Sequence, residues 1–223
     1  SEYTVKGVLM DQTTGKELKV NDELIIAEVT FTADERDMTV TLTYTLDASK
    51  LAGTTTVVYE TLYTEGREVG KHHEIKDEGQ TVYIPEIHTT AKDLETKINH
   101  TEAKDKATIV DTVLYSHLLP GKEYTVKGTL MNKATGEPIL INDEPITAET
   151  TFTPETPDGS VDVIFTFDAT AVVPTTIVAF EHLEYKGIEV AVHADITDKD
   201  QTVYVPSIHT TAVGEDTKDH VTG

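Results

Sequence analysis

Apolar and polar residues alternate along much of this chain with a period of two. VDVIFTFDA, ITAETTFT, IEVAVHAD, TIVAFEHLEY, TIVDTVLY and QTVYVP are short segments rich in Val, Ile, Thr, Phe and Tyr, the composition of strands with one buried face. Turn chemistry fences them: PGKE, NKATGEP, ETPDGS, YKG and TDKD supply the Gly, Pro, Asn and Asp that tight turns require. No segment keeps a helical period over three turns. The pattern predicts an all-β chain, and its strand density fits a two-sheet sandwich of immunoglobulin-like size or a partly open barrel.

The alternation is itself repeated. EYTVKGVLMDQTTGKEL from Glu2 returns as EYTVKGTLMNKATGEPI from Glu123, and NDELIIAEVTFT from Asn21 returns as NDEPITAETTFT from Asn142; both pairs stand 121 residues apart. A period of that length is one small domain rather than one turn of a solenoid, so tandem immunoglobulin-like β-sandwich domains are expected. A complete unit spans residues 87–206. Residues 1–86 form a first unit without a counterpart of 87–121, its opening strands, and 207–223 read as the opening strand of a further repeat. The chain thus looks cut from a longer array of neighbouring repeats.

Charge and composition narrow the partners. Forty acidic against 18 basic side chains give a formal net charge of −22, which repels nucleic acid and anionic membrane surfaces. No apolar run approaches the roughly 20 residues of a membrane span, and SEYTVKG does not read as a signal peptide. Cysteine is absent, so any covalent staple must use other side chains.

Within the repeat, three polar residues hold their register. Glu60, His72 and Gln80 of the first unit match Glu181, His193 and Gln201 of the second, and IHTTA occurs at Ile87 and again at Ile208. Strand alternation puts Glu181 on one face with Ala179, and His193 with Ala191. The plain reading is a solvated polar face; retention of all three in both copies shifts the balance toward a shared role.

IHTTA at 87–91, PGKEYTVKGTLMNKATG at 120–136, VAFE at 178–181 and HADITDKDQTV at 193–203 resemble, in that order, the VaFE repeat, the Thr-Gln ester-bond domain of Gram-positive surface adhesins. The resemblance implies an intramolecular ester between a first-strand threonine and a last-strand glutamine, with loss of ammonia. It makes Thr89 the nucleophile and Gln201 its target, with His193, Glu181 and Asp111 as the assisting residues. Thr90 is the rival nucleophile, but alternation turns it to the opposite face.

Those residue types suit the chemistry. A hydroxyl needs a base, for which His193 is a candidate, and an amide needs a proton donor, which a carboxylic acid kept neutral by burial supplies. Glu181 and Asp111, if adjacent, cannot both ionise cheaply, so one of them should hold a proton. The reaction turns over once and is not enzymatic in the ordinary sense. No cofactor is implied. The expected setting is extracellular, on a cell-wall-anchored protein, with any host ligand unspecified.

Glu60, His72 and Gln80 lack a threonine in normal order, and Thr210 lacks a glutamine; the expectation is that their partners lie outside the given sequence, with strand exchange that brings Thr210 of one chain to Gln80 of another as the alternative. A metal site at His72, His73 and Glu74, or at His193 and Asp195, is disfavoured because the second copy does not keep the first set. The acidic loops 142–144 and 198–200 lack a full calcium spacing. Lys6 and Lys127 would serve a Lys-Asn isopeptide, but Gln and Thr occupy the positions that matter. The competing function is a ligand-binding adhesin module without a cross-link; against it, the chain has no Trp.

Overall fold

In the computed structural model, which describes residues 1–215 and residue 218, the chain is built from β-strands joined by turns and short 3-10 segments. The first unit contains β1 (Glu2–Asp11), β2 (Ile26–Thr32), β3 (Thr55–Thr64), β4 (Arg67–His72) and β5 (Thr81–Tyr83). The second contains β6 (Glu86–Asp93), β7 (Ala107–Ser116), β8 (Tyr124–Asn132), β9 (Thr147–Phe152), β10 (Gly159–Phe167), β11 (Thr175–Tyr185), β12 (Ile188–His193) and β13 (Thr202–Val205).

The second unit is a two-sheet sandwich. One sheet runs β9-β8-β11-β12, with β13 also paired to β11, and the other runs β10-β7-β6. Alternation accounts for the layers. In β7 the buried positions are Ala107, Ile109, Asp111, Val113 and Tyr115, and in β6 they are Ile87, Thr89, Ala91 and Asp93, every second residue of each strand. Ile109, Val113, Val163 and Phe165 from the smaller sheet meet Val126, Leu130, Ile177 and Leu183 from the larger one in a single core.

β11 organises the larger sheet. One edge pairs with β8, setting Gly128 opposite Glu181. The other edge is shared by two shorter strands: β12 sets His193 opposite Glu181, and β13 sets Thr202 opposite Val178. The chain leaves the sheet between them, and the turn at 194–201 is closed by Asp195, which accepts Thr197 N–H at 2.8 Å, and Asp198, which accepts Asp200 N–H at 2.8 Å.

The first unit repeats the larger sheet, β2-β1-β3-β4 with β5 on β3, but among the described residues it has no counterpart of the β10-β7-β6 sheet. Residues 38–46 correspond to β10, and Val40, Leu42, Tyr44 and Leu46 keep its alternation, half-buried between exposed neighbours. They form no strand because β10 is paired through β7, and residues 1–86 contain no equivalent of β7. Only Leu9, Leu18, Ile25 and Leu51 are buried in its central cluster. Residues 207–214, expected to open another repeat as a strand, likewise carry no strand pairing; most are exposed, Thr210 among them. Pairing of the kind β6 makes with β7 has no partner for them among the described residues.

The glycine of the repeated YTVKG motif has a steric reason. A Cβ at Gly128 would collide with the Phe165 ring and stand 3.2 Å from Glu181 Oε1. In an otherwise un-cross-linked Thr89→Ala protein, Gly128→Ala should therefore destabilise the second unit by about 1–3 kcal/mol, the usual cost of overpacking a tight core. Chemical denaturation of the two proteins measures it.

Candidate functional site

Four side chains from four positions of the sandwich converge in its interior. Thr89 comes from β6, Asp111 from β7 and Glu181 from β11, while Gln201 stands one residue ahead of β13. Asp111, Glu181 and Gln201 are fully buried and Thr89 nearly so, at 4% exposure. Thr90 faces the other side of β6 and is half-buried.

The contacts among them are mutual. The Gln201 amide Nε2 donates to Thr89 Oγ1 and to Glu181 Oε2 at 2.9 Å, and the Thr89 hydroxyl donates to the same Glu181 oxygen at 3.4 Å. Nucleophile and amide are held by one carboxyl oxygen. Gln201 was expected on the last strand but lies in the turn before it: its carbonyl accepts Ala179 N–H at 3.1 Å, and Thr202 N–H is bonded back to Lys199 O at 3.2 Å.

Buried polar atoms are ordinarily paired, and several here are not paired by any conventional donor. Both Asp111 carboxyl oxygens, Glu181 Oε1 and Gln201 Oε1 lack one. A proton on the carboxyl pair resolves part of this, because a protonated acid can donate where two carboxylates only repel. Burial, followed by the neighbouring Asp111 carboxyl, pushes Glu181 up to about 11. Burial also raises Asp111, although the neighbouring Glu181 and Thr89 side chains and the nearby His193 pull it back. The pair therefore carries a proton at neutral pH.

His193 stands beside this group rather than on the threonine. Its Nδ1 is 3.2 Å from the Ile87 carbonyl oxygen and its Nε2 2.7 Å from Asp198 Oδ2; the described residues show no hydrogen bond from it to Thr89 or Gln201. The sequence alone places Asp198 in an acidic loop. Its signal was the repeat itself, since Asp77 holds the same place after His72.

The first unit keeps the matching half. Glu60 pairs in register with His72, His72 Nε2 lies 2.8 Å from Asp77 Oδ2, and the side-chain oxygen of Gln80 is buried without a partner. Among the described residues no threonine is hydrogen-bonded to it. His73 turns away onto Thr61 and the Tyr59 ring. Lys6 and Lys127 sit in surface ion pairs with Glu28 and Glu184, far from the role an isopeptide would give them.

The sequence pattern of the T-Q ester bond containing domain matches residues 1–84 and again residues 85–205. The chain belongs to that family. No curated protein matches it. Similar solved structures include a bacterial adhesin from Mobiluncus mulieris containing intramolecular disulfide, isopeptide and ester bond cross-links, at 18% identity and a TM-score of 0.48, with 55% of this chain and 57% of the adhesin chain covered. A second crystal form of that adhesin gives 19% identity and a TM-score of 0.46 over the same shares. A glycosyl hydrolase family 2 member from Bacteroides cellulosilyticus is similar at 10% identity and a TM-score of 0.37, covering 86% of this chain and 24% of its own. The chain thus spans just over half the length of the adhesin it matches.

The raised carboxyl pair sets a sign for the pH dependence of an un-cross-linked Thr89→Ala protein. The folded state keeps a proton that the unfolded chain gives up above the ordinary value of 4.5 for Glu181. That stabilisation is complete below 4.5 and is lost progressively as pH rises toward about 11. Urea midpoints should fall between about pH 5 and pH 8, by at most ~1.4 kcal/mol per unit for one proton, and Glu181→Gln in the same background should flatten the trend.

Proposed function

We propose that the second unit closes an ester between Thr89 and Gln201, and that the chain is a load-bearing stalk module of a bacterial surface adhesin. The observation that carries this is the placement of the Thr89 hydroxyl and the Gln201 amide on one buried carboxyl oxygen of Glu181, within a chain that belongs to the T-Q ester bond family.

Thr89 Oγ attacks Gln201 Cδ, the Oγ–Cδ bond forms and the Cδ–Nε2 bond breaks. With the pair's proton resting on Asp111, Glu181 Oε2 is in position to take the hydroxyl proton and to return it to the departing nitrogen, which touches the same oxygen. Nitrogen leaves as ammonia, with the threonine proton as its third hydrogen. The proton held by the Asp111–Glu181 pair lowers the cost of charge on the acyl oxygen as the tetrahedral intermediate forms. His193 contributes from the side, across from Glu181. Burial of the four residues keeps water from the product ester.

The link closes a loop of 112 residues, and chain-entropy reasoning gives about 5 kcal/mol of stabilisation for a loop of this size. It joins β6, which opens the unit, to the residue that leads into β13, which closes it. Tension entering and leaving the domain passes through the bond instead of peeling the sheets. On this reading the protein is extracellular, anchored to a Gram-positive cell wall in tandem repeats, and the cross-linking is a single event per domain.

Single-molecule pulling distinguishes this from a plain binding sandwich. The wild-type second unit should withhold the extension of the residues between Thr89 and Gln201, whereas Thr89→Ala should release about 370–400 Å on unfolding. Equal extension in both proteins would contradict the stalk function.

A further inference from the structure

Asp93 is a buried carboxylate that the ester chemistry leaves unused. It stands on β6 four residues after Thr89, on the same inward face, and is 2% exposed. It accepts three hydrogen bonds, from Glu95 N–H at 2.9 Å, Thr96 N–H at 2.8 Å and the Thr101 hydroxyl at 2.6 Å. Burial pushes this carboxyl up, but the bonds from Thr101, Thr96 and Glu95 outweigh it and hold it below the usual carboxylate range. Bonds to a buried charge are strong and directional, so the donors are held where they are.

Those donors belong to the connection between β6 and β7, and its residues 99–101 lie along the outer edge of β13. Tyr204 N–H donates to Asn99 O at 2.8 Å, and Thr101 N–H donates to Tyr204 O at 3.0 Å. The pairing of His100 with Tyr204 is parallel, and their rings stack with centroids 5.2 Å apart. β13 has four residues and its other edge is taken by β11, so the connection covers what would be an open strand edge. Thr101 is the joint, with its hydroxyl on Asp93 and its N–H on Tyr204. The strand of the nucleophile is thereby tied to the strand that follows Gln201, one step beyond the bond from Ala91 N–H to Asp200 O at 2.8 Å. The first unit, whose described residues include a counterpart of neither β6 nor this connection, leaves Val82 57% exposed where Val203 is 1% exposed.

We propose that Asp93 and Thr101 are positioning residues for ester formation: their bond folds the 94–101 connection onto β13 and so holds the Gln201 amide against the Thr89 hydroxyl before the covalent link exists. Neither residue is bonded to the reacting groups. Gln201 immediately precedes β13, so fraying of that short strand moves the amide relative to Thr89, and a displacement of about 1 Å between reacting atoms costs on the order of a hundredfold in rate. The inference rests on the ester reading of the site.

Intact mass of chains sampled at intervals during cell-free synthesis gives the rate at which ammonia is lost. Thr101→Val keeps the shape of the side chain and removes the hydroxyl, whereas Thr101→Ser keeps the hydroxyl. The control is Ile146→Val or Ile146→Ala, whichever matches the urea midpoint of Thr101→Val in the un-cross-linked Thr89→Ala background; Ile146 belongs to the same core but is bonded to Leu130 and Ile139. Thr101→Val should close the ester on the order of tenfold more slowly than wild type. Thr101→Ser should restore most of that rate, and the matched Ile146 variant should react like wild type. In an Asp93→Ala background Thr101→Val should have no further effect, because the hydroxyl has lost its acceptor. A wild-type rate in Thr101→Val would overturn the proposal, as would equal slowing in the matched Ile146 variant, no recovery in Thr101→Ser, or a full further tenfold loss in the Asp93→Ala background. If Thr101→Val does not fold, amide hydrogen exchange in the Thr89→Ala protein decides. Thr101 and Tyr204 N–H should then be protected as well as Ala179 N–H, which is bonded to Gln201 O; free exchange at the first two with Ala179 protected overturns the proposal. Wild-type chains that never lose ammonia overturn the ester reading, and this inference with it.

Discussion

Two carboxyl groups buried side by side cannot both give up their protons, and the interior of the second unit is arranged around that constraint. Asp111 and Glu181 come from opposite sheets and lie where water does not reach, so the pair retains a proton that solvent would otherwise remove. A neutral acid in a dry pocket can donate to a developing oxyanion, and its remaining oxygen can accept from a hydroxyl. Glu181 Oε2 touches both Thr89 and the Gln201 amide. The sandwich must fold before any of this exists, because the four residues come from positions 89, 111, 181 and 201 of the chain.

That order explains why the site depends on the fold and the fold gains from the site. Packing of Ile109, Val113 and Phe165 against Val126 and Leu130 brings the sheets together and expels water. The proposed bond then fixes the two ends of the unit. A chain without cysteine has no disulfide to offer, and an ester made from threonine and glutamine needs no oxidant. The first unit shows the dependence from the other side. It keeps Glu60, His72, Asp77 and Gln80, yet without a counterpart of the β10-β7-β6 sheet Glu60 is only partly buried, and among the described residues no threonine meets Gln80.

Much of this was legible in the sequence because the repeat acts as an internal comparison. Period-two alternation marks the strands, and identical spacing of Glu, His and Gln in two copies singles out residues that a lone copy would leave among ordinary surface polar groups. Alternation also separates Thr89 from Thr90. Three features were not legible. The place of Gln201 in a turn depends on backbone bonds to Ala179 and Lys199 that no side-chain pattern encodes. The position of His193, on Ile87 and Asp198 rather than on the threonine, is set by how β6 docks against β12. The need for glycine at 128 comes from Phe165, a residue distant in sequence whose ring crosses beneath it.

The central claim is that Thr89 and Gln201 become one covalent unit. Intact mass of the denatured wild-type chain, with peptide mapping around both residues, tests it most directly. The account predicts a mass lower than the sequence by one ammonia, with the two peptides joined and released by mild base. An unmodified mass in a folded sample, with Thr89 and Gln201 recovered on separate peptides, would contradict it.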